Sequence, residues 1–545
     1  MNWTNTLTIT DLVIIVLYFV FIVYAGLRYR KTSDSESYFL AGRSMTWPVI
    51  GFSMFAASIS SSTLIGQAGD AYSTGIAVFN YNLMSIFVMI IFAWFFLPFY
   101  IKSRIFTLPE FLERRFDVRS RYYFSGITIL INIFLDAAGS LYAAALVMKL
   151  VFPEVSLTTL AVIFAVIVAI YTIPGGLSAA IRVDLIQGII LTIGAIALTW
   201  ILAEKGGAAY VAEQFNQGVM MKLVRPLDDP SVPWLGMILG IPILGFFFWG
   251  NNQQLVQRAL TAKSIDEGRK GVLLVGLLTL ITLFIIIIPG VMAQKFFPGL
   301  EKPDMVYPSL VIEMMPVGMV GFLLAALVAA LTSSISGLLN SVATLFTMDF
   351  YLKMKKNVSS KEQVFVGRIV SAVVLIIAVA WAPQIGEKFG SLLKYYQEML
   401  SMLAPPIVSV FFLGIFWKRA TSQGAFYGLI GGALLGMTNL VFKIYFGYSI
   451  FGDIHFLLTV PIYLAWSMLI MLVISYLTPA PDYKIVKPYI WTKADFDEET
   501  VALQKLPFYK NYRKLSYMLI ALCLIVLLVF ALSLIHISEP TRRSY

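Results

Sequence analysis

The chain has 545 residues, of which 59% are hydrophobic and only 13% are charged, and its mean hydropathy is +0.83. Because soluble domains carry about 25% charged residues, this composition excludes an ordinary water-soluble protein and indicates a membrane protein. The single cysteine, Cys523, excludes a disulfide framework, and two distant histidines, His455 and His536, exclude a histidine-based metal or acid–base centre. With no nucleophile motif either, we expect no enzyme activity.

Apolar runs of about 20 residues, the length that crosses a bilayer as a helix, recur along the whole chain. They predict an all-α, polytopic membrane protein with fourteen spans. The run at 308–352 is longer than a bilayer needs and is expected to include an extracellular segment that leads into the helix. The predicted spans are 10–28, 47–66, 75–100, 122–150, 157–174, 178–203, 233–256, 271–294, 308–352, 364–384, 392–417, 422–444, 456–478 and 515–533.

Charges beside the first apolar run predict an N-terminus outside the cell. Met1–Asp11 contains no Lys or Arg, whereas Arg28, Arg30 and Lys31 follow the run, which is the reverse of a cleavable signal peptide. With the spans threaded from that end, 29 of the 40 Lys and Arg residues fall in predicted cytoplasmic segments. The net charge of +10 therefore reflects the topology of a plasma-membrane (bacterial inner-membrane) protein, and no nucleic-acid partner is expected.

Polar and helix-breaking residues interrupt two of the spans. Ser58–Thr63 places five hydroxyls in the second span, and Gly240, Pro242 and Gly245 precede the polar run Gly250–Gln254 in the seventh. Freed backbone groups at membrane depth are tolerated around a cavity or bound ion, and five spans separate the two positions. This layout is typical of two inverted five-helix repeats that each open with a broken helix. Back-bonded hydroxyls and close helix packing are the alternative.

Other polar residues inside spans are candidate functional groups. Ser333, Gly337 and Ser341 recur every four residues in the ninth span, either as a packing stripe or as a row of oxygens for a hard monovalent cation. Asp136 lies near the middle of its span, where an acid is costly. Asp184 lies about two turns into its helix, where the helix dipole alone could favour an acid.

Six strings of residues are similar to the sodium/solute symporter family, and to its sodium/glucose and sodium/galactose branch in particular. The resemblance implies a leucine-transporter-type five-plus-five helical core, with sodium as the coupling ion and no other cofactor. The strings are Ser37–Arg43, Trp47–Ser60, Gly175–Leu177 with Asp184 and Gln187, Gln257–Ser264, Asn340–Asp349 and Phe411–Arg419.

The resemblance divides the chain into five parts. Residues 1–46 form an extra N-terminal helix and a cytoplasmic loop, 47–203 the first inverted repeat and 233–417 the second. Residues 418–532 form the C-terminal helices, and 533–545 are interpreted as a non-native tail because a polar, proline-containing string ends the last apolar run.

The resemblance also implies ion sites. The main sodium site of the family combines backbone carbonyls from two core helices with two adjacent serines. The matching positions are Ala56, Ile59, Ala330, Ser333 and Ser334. A second sodium site, present in some members, would use Asp184 and Ser336, but Gly337 stands where a further hydroxyl is expected.

The implied solute site departs from that of the galactose carriers, since Gln397 alone is kept among their sugar-binding amides, acid and lysine. Phe248 takes the place of a gating tyrosine. With Asp136 added from its position, the candidate residues are Ser58, Thr63, Tyr81, Asn82, Ser85, Asp136, Phe248, Trp249, Thr279 and Gln397.

The resemblance, taken with these residues, implies a sodium-coupled symporter that imports a neutral sugar or polyol by alternating access. A cationic or zwitterionic solute such as an amino acid, paired with Asp136, is the alternative, and a membrane sensor without transport is an alternative of another class. The expected partners are the solute, sodium and the lipid bilayer, with no obligate protein partner.

Overall fold

The computed structural model describes residues 8–28, 35–59, 62–217, 219–300, 302–388 and 392–532. This part of the chain forms helices and no strand beyond two isolated bridges. A helix satisfies its own backbone hydrogen bonds, as the bilayer interior requires. The first half contains α1 (Ile9–Arg28), α2 (Ser35–Leu40), α3 (Trp47–Ser58), α4 (Gln67–Thr74), α5 (Asn80–Ile91), α6 (Leu97–Lys102), α7 (Leu108–Arg115), α8 (Val118–Ile131), α9 (Ala138–Val151), α10 (Leu157–Leu202), α11 (Ala208–Gln217), α12 (Trp234–Phe246) and α13 (Gln253–Ala259).

The second half continues in the same all-helical manner. It contains α14 (Ile265–Thr282), α15 (Ile288–Phe296), α16 (Val306–Met314), α17 (Met319–Leu345), α18 (Leu352–Met354), α19 (Ser360–Lys388), α20 (Leu392–Phe416), α21 (Ser422–Phe446), α22 (Phe456–Leu477), α23 (Tyr483–Val486), α24 (Lys493–Gln504) and α25 (Tyr512–Leu532). The predicted tail 533–545 lies outside the described residues.

Wide π-helical turns interrupt or join several of these helices. Each such turn holds one residue more than a regular turn, and such turns often accompany functional sites. They are Ser62–Gly66, Phe92–Phe96, Asn132–Ala137, Ala203–Gly207, Phe247–Asn251, Leu283–Ile287 and Phe346–Tyr351. Three of them contain residues that the sequence nominates for the solute site, namely Thr63, Asp136 and the pair Phe248 and Trp249.

Eleven helices in the described residues are long and apolar enough to cross a membrane, or twelve when the bent pair Trp47–Ser58 and Thr63–Thr74 is one span. The predicted count of fourteen is therefore not confirmed. Two shorter apolar helices, Ile9–Ala25 and Met319–Val328, coincide with the remaining predicted spans at 10–28 and 308–352. The latter run is divided, because Gly318 at φ 85° separates α16 from α17.

The two predicted helix breaks differ in position and sharpness. The first is a bend of 64° that follows Ser58, where the hydroxyl run begins. In the second, α12 continues through Pro242, and the interruption comes later, at the extended residue Asn252. The Asn252 side chain accepts hydrogen bonds from the amides of Gln254 and Leu255 and so caps α13.

Helix α1 is tied to α17 by an acid at its first turn. The Asp11 carboxylate accepts hydrogen bonds of 2.8 Å from the amides of both Gly318 and Gly321. A Cβ at Gly321 would lie 2.5 Å from the Asp11 backbone, so only glycine allows this approach. The carboxylate meets the positive N-terminal end of α17, a favourable place for an anion.

Candidate solute and sodium sites

A polar cavity opens at the bend between α3 and α4. Helices α5, α12, α14 and α20 enclose it, together with the turn Phe247–Asn251. Its lining consists of Phe55, Ser58, Ile59, Thr63, Gln67, Tyr81, Asn82, Ser85, Ile241, Leu244, Gly245, Phe248, Trp249, Thr279, Thr282, Tyr396, Gln397 and Leu400. The cavity thus draws on segments separated by more than 300 residues of sequence.

Nine of the ten side chains nominated for the solute site line this one cavity, and Asp136 is the exception. The lining also includes three hydrogen-bonding residues that sequence reasoning missed: Gln67, Thr282 and Tyr396. Gln67 and Thr282 lie one helical turn from the nominated positions Thr63 and Thr279, so helical periodicity could have found them.

A hydrogen-bonded group of amides and a hydroxyl forms one wall. Asn82 Nδ2 donates to Gln67 Oε1 at 2.9 Å and to Thr282 Oγ1 at 2.9 Å, and Gln67 Nε2 donates to Asn82 Oδ1 at 3.2 Å. These contacts join α4, α5 and α14. They hold several donors and acceptors at fixed positions around the cavity, which suits a ligand that is rich in hydroxyl groups.

Two adjacent aromatic rings form another wall. Phe248 and Trp249 lie edge to face, with ring centroids 5.2 Å apart, on the wide turn that follows α12. Trp249 is buried and Phe248 is half-buried. Nearby, a Cβ at Gly245 would lie 3.2 Å from Ser85 Oγ, so glycine at this position keeps α12 close to α5.

Asp136 lies one hydrogen bond away from the cavity. Its carboxylate is hydrogen-bonded to the hydroxyl of Tyr396, and Tyr396 lines the cavity. The other carboxylate oxygen, Oδ2, is buried and has no hydrogen-bond partner in the described part of the chain. Because the tyrosine O–H donates its hydrogen bond to the carboxylate, the Tyr396 oxygen is left as an acceptor toward the cavity.

The sodium candidates lie on two helices that pack together, α3 and α17. Ala56 and Ile59 are at the end of α3, where a helix leaves carbonyls without partners in its own ladder. Ser334 is buried on α17, and its carbonyl accepts a hydrogen bond of 3.2 Å from Gln254. Ala330 and Ser333 belong to the same helix, and their side chains lie outside the described part of the structure.

The candidates for a second sodium site have protein partners. Asp184 is fully buried and pairs with the guanidinium of Arg258, Oδ2 to Nη2, at 2.5 Å. Arg258 also donates to Ser53 Oγ at 3.1 Å and to the Gln254 carbonyl at 2.8 Å. Ser336 Oγ accepts from Thr172 Oγ1 at 2.8 Å.

Gly337 provides the space that this ion pair occupies. A Cβ at position 337 would lie 2.7 Å from Arg258 Nη2 and 2.7 Å from Gln254 Nε2. Real Cβ atoms essentially never approach so closely, so a serine here would displace the guanidinium. The absence of a side chain at Gly337 therefore leaves room for the Arg258 guanidinium. That guanidinium already balances the negative charge of Asp184.

A larger second cavity adjoins the first. Tyr81 and Gln397 line both, and the second cavity extends to 230–232 and 447–456, in loops predicted to be extracellular. Its lining includes charged residues, which the described lining of the inner cavity lacks. Among them are Glu398 and Lys443, whose charged groups are 3.4 Å apart.

Comparison with known proteins identifies the family. The model of the sodium:solute symporter family matches residues 38–432. The chain belongs to this family. It is 33% identical over 550 residues to sodium/glucose cotransporter 4 of Danio rerio, with 92% of this chain and 83% of that protein covered. It is 32% identical over 530 residues to sodium/myo-inositol cotransporter 2 of Homo sapiens, with coverages of 88% and 78%.

Solved structures agree on the fold of this symporter. A structure described as the substrate-bound outward-open state of a Na+-coupled sialic acid symporter superposes with a TM-score of 0.76 at 23% identity, covering 87% of this chain and 99% of that one. A closed nucleobase-cation-symport-1 family transporter superposes at 0.54 and 15% identity, with coverages of 84% and 99%. The leucine-transporter-type fold is thereby confirmed. The family match and the curated relatives, which are cotransporters, agree with the expectation of a transporter.

Proposed function

We propose that this symporter imports a neutral, polyhydroxylated solute, a sugar or a polyol, together with sodium. One observation carries the proposal: the eighteen described residues that line the inner cavity include no Asp, Glu, Lys, Arg or His. A carboxylate or ammonium group on the solute would lose its hydration there without a charged partner in contact, at a cost of several kcal/mol. A neutral polyol exchanges its water for hydroxyl and amide partners instead.

The distribution of polar and apolar groups around the cavity supports a ring-shaped or compact polyol. The Gln67–Asn82–Thr282 group, Gln397 and the Tyr396 oxygen supply donors and acceptors from different sides. Phe248 and Trp249 supply apolar surface that the C–H face of a sugar can cover. Relatives named as glucose and myo-inositol cotransporters are consistent with this solute class.

Sodium would bind at the main site formed by Ala56, Ile59, Ala330, Ser333 and Ser334. That site joins the bent α3 to α17, so an ion bound there favours one arrangement of these helices over another. Coupling then follows from the different affinity of sodium for the two conformations. Each entering sodium contributes roughly 2.3 kcal/mol per 100 mV of membrane potential. We place the protein in the plasma membrane, with its N-terminus outside, on the predicted distribution of Lys and Arg.

A cationic or zwitterionic solute is a second candidate, because Asp136 lies one hydrogen bond behind the cavity wall. If such a solute displaced the Tyr396 hydroxyl, its ammonium group would pair with the carboxylate.

Counterflow in proteoliposomes, with and without sodium, distinguishes the candidates. We expect sodium-dependent exchange of a hexose or inositol and none of lactate, sialic acid or a basic amino acid. The variant Asp136→Asn should retain exchange of the neutral solute. Exchange of a cationic solute by the wild type that this variant abolishes would favour the second candidate instead. Tight sodium-dependent binding of a carboxylate, with neutral compounds silent, would overturn the proposal.

A further inference from the structure

An apolar crevice lies on the outer surface of the helical bundle, between α14 and α25 and beside the first residue of α3. It shares no residue with the solute cavity. Its lining consists of Trp47, Lys270, Leu273, Leu274, Leu277, Tyr509, Lys510, Leu515, Met518 and Leu519. Leu273 and Leu519 are buried and form the floor, whereas Trp47, Leu277 and Met518 are exposed along the rim.

The crevice is polar at one end and apolar along its length. Trp47, Lys270 and Lys510 lie close to the starts of α3, α14 and α25, which places them at the same end of the bundle. From Lys270 to Leu277 the helix rises about 10 Å, at 1.5 Å per residue. Beyond the lysines the lining is aliphatic, so the crevice runs from a charged mouth into the depth of the bilayer.

The charged residues of the crevice lining are two lysines. Lys510 is exposed, with Nζ 5.9 Å from the centroid of the Tyr509 ring. Lys270 pairs with Asp266 at 2.7 Å, but Asp266 is about half exposed and does not line the crevice. Glu267, which accepts a hydrogen bond of 2.6 Å from the Trp47 backbone amide, also lies beside the mouth. Among the described lining residues themselves, the charged ones are the two lysines, and Lys510 is the one without an acidic partner in an ion pair of the described structure.

We propose that this crevice binds one anionic phospholipid from the adjacent leaflet. The phosphate would lie between Lys270 and Lys510, and an acyl chain would follow Leu273, Leu277 and Met518. Basic pockets between membrane helices select anionic headgroups, and Trp and Tyr are enriched at headgroup level, as Trp47 and Tyr509 are here. A zwitterionic lipid presents the same phosphate with a compensating cation, so the charge of the mouth favours the anionic lipid.

Trp47 offers a direct test, because bromine on an acyl chain quenches tryptophan fluorescence on contact. The full-length protein is placed in nanodiscs that contain dibrominated phosphatidylglycerol or dibrominated phosphatidylcholine in an unbrominated background. The signal of Trp47 is obtained by subtraction of the Trp47→Phe variant. We expect phosphatidylglycerol to quench Trp47 at a lower mole fraction than phosphatidylcholine.

The charge variants determine whether the lysines cause the preference. An unpaired lysine near the surface contributes about 1 kcal/mol, or about fivefold in lipid affinity. Because Lys270 is paired with Asp266, Lys270→Gln/Lys510→Gln should lower the preference for phosphatidylglycerol by between about fivefold and about 25-fold. The control Lys356→Gln/Lys361→Gln changes two exposed lysines in another predicted cytoplasmic segment. It should leave the preference for phosphatidylglycerol over phosphatidylcholine unchanged.

Native mass spectrometry of the same proteins counts the retained phosphatidylglycerol and does not depend on Trp47. Equal quenching by the two lipids, or an equal loss of preference in the control, would overturn the proposal.

Discussion

The buried pair of Asp184 and Arg258 leads to a prediction about sodium stoichiometry. Both side chains are almost fully buried, and Arg258 reaches Asp184 through the space left by Gly337. If the guanidinium serves as the permanent counter-ion of Asp184, a second sodium is not needed there. We therefore expect one sodium to enter with each solute, in the wild type and in the isosteric variant Asp184→Asn alike.

The same variant should be markedly less stable. It leaves the Arg258 charge buried with neutral partners, among them Ser53 and the Gln254 carbonyl, and without the carboxylate that balances it. Removal of one partner of a buried ion pair costs about 3–5 kcal/mol, because the remaining charge is uncompensated. At about 1.4 kcal/mol per factor of ten, the ratio of folded to unfolded protein should fall by at least about a hundredfold. The double variant Asp184→Asn/Arg258→Gln removes both charges and should recover much of this loss.

Two measurements check this reasoning. Reversal potentials in proteoliposomes with a fixed solute gradient give the sodium-to-solute ratio, and thermal unfolding in detergent gives the stability order of the three proteins. The explanation fails if the wild type carries two sodium ions and Asp184→Asn carries one, since Asp184 would then be a sodium ligand. It also fails if the double variant is no more stable than the single one, because the two charges would then not be coupled.

Three further predictions concern the main sites and the packing around them. Ser334→Ala should raise the sodium concentration for half-maximal uptake about tenfold, since a hydrogen-bonding or ligand oxygen contributes about 1–2 kcal/mol, and normal uptake at limiting sodium would exclude that role. Gln397→Ala should raise the KM for the solute at saturating sodium and leave the sodium dependence unchanged, as uptake titrations would measure. Gly337→Ala should cost about 1–3 kcal/mol of stability through overpacking against Arg258, measured by thermal unfolding, and an unchanged midpoint would contradict that contact.

The hydropathy and polar breaks of the sequence were enough to predict the helical class and most of the helices. The resemblance to the symporters then located nine side chains that the structure brings into one cavity. The prediction of the helical class succeeded because apolar length is a local property that the bilayer enforces on each helix separately, whereas the roles of the nine side chains stay predictions.

Properties that depend on contacts between distant segments could not be predicted in this way. From the sequence, Arg258 is expected to be one of the basic residues of a cytoplasmic segment. The structure instead buries it against Asp184, which lies 74 positions earlier. Tyr396 lies in an ordinary apolar helix, and its contact with Asp136 joins α20 to a residue that precedes it by about 260 positions in the sequence. The sequence predicts a helix break near Pro242, whereas the structure has it at Asn252. The proline is accommodated within α12, as happens in membrane helices whose neighbours satisfy the freed backbone groups.

The contact between Asp11 and the start of α17 bears on how this protein can be shortened or fused to other proteins. Although α1 precedes the predicted five-plus-five core, its first turn holds the amides of Gly318 and Gly321 on the helix that carries Ser334. A fusion partner attached ahead of residue 8 leaves this contact intact, whereas trimming past Asp11 exposes the end of α17. An N-terminal boundary chosen from the family core alone would therefore loosen the helix that carries Ser333 and Ser334, the serines proposed for the main sodium site.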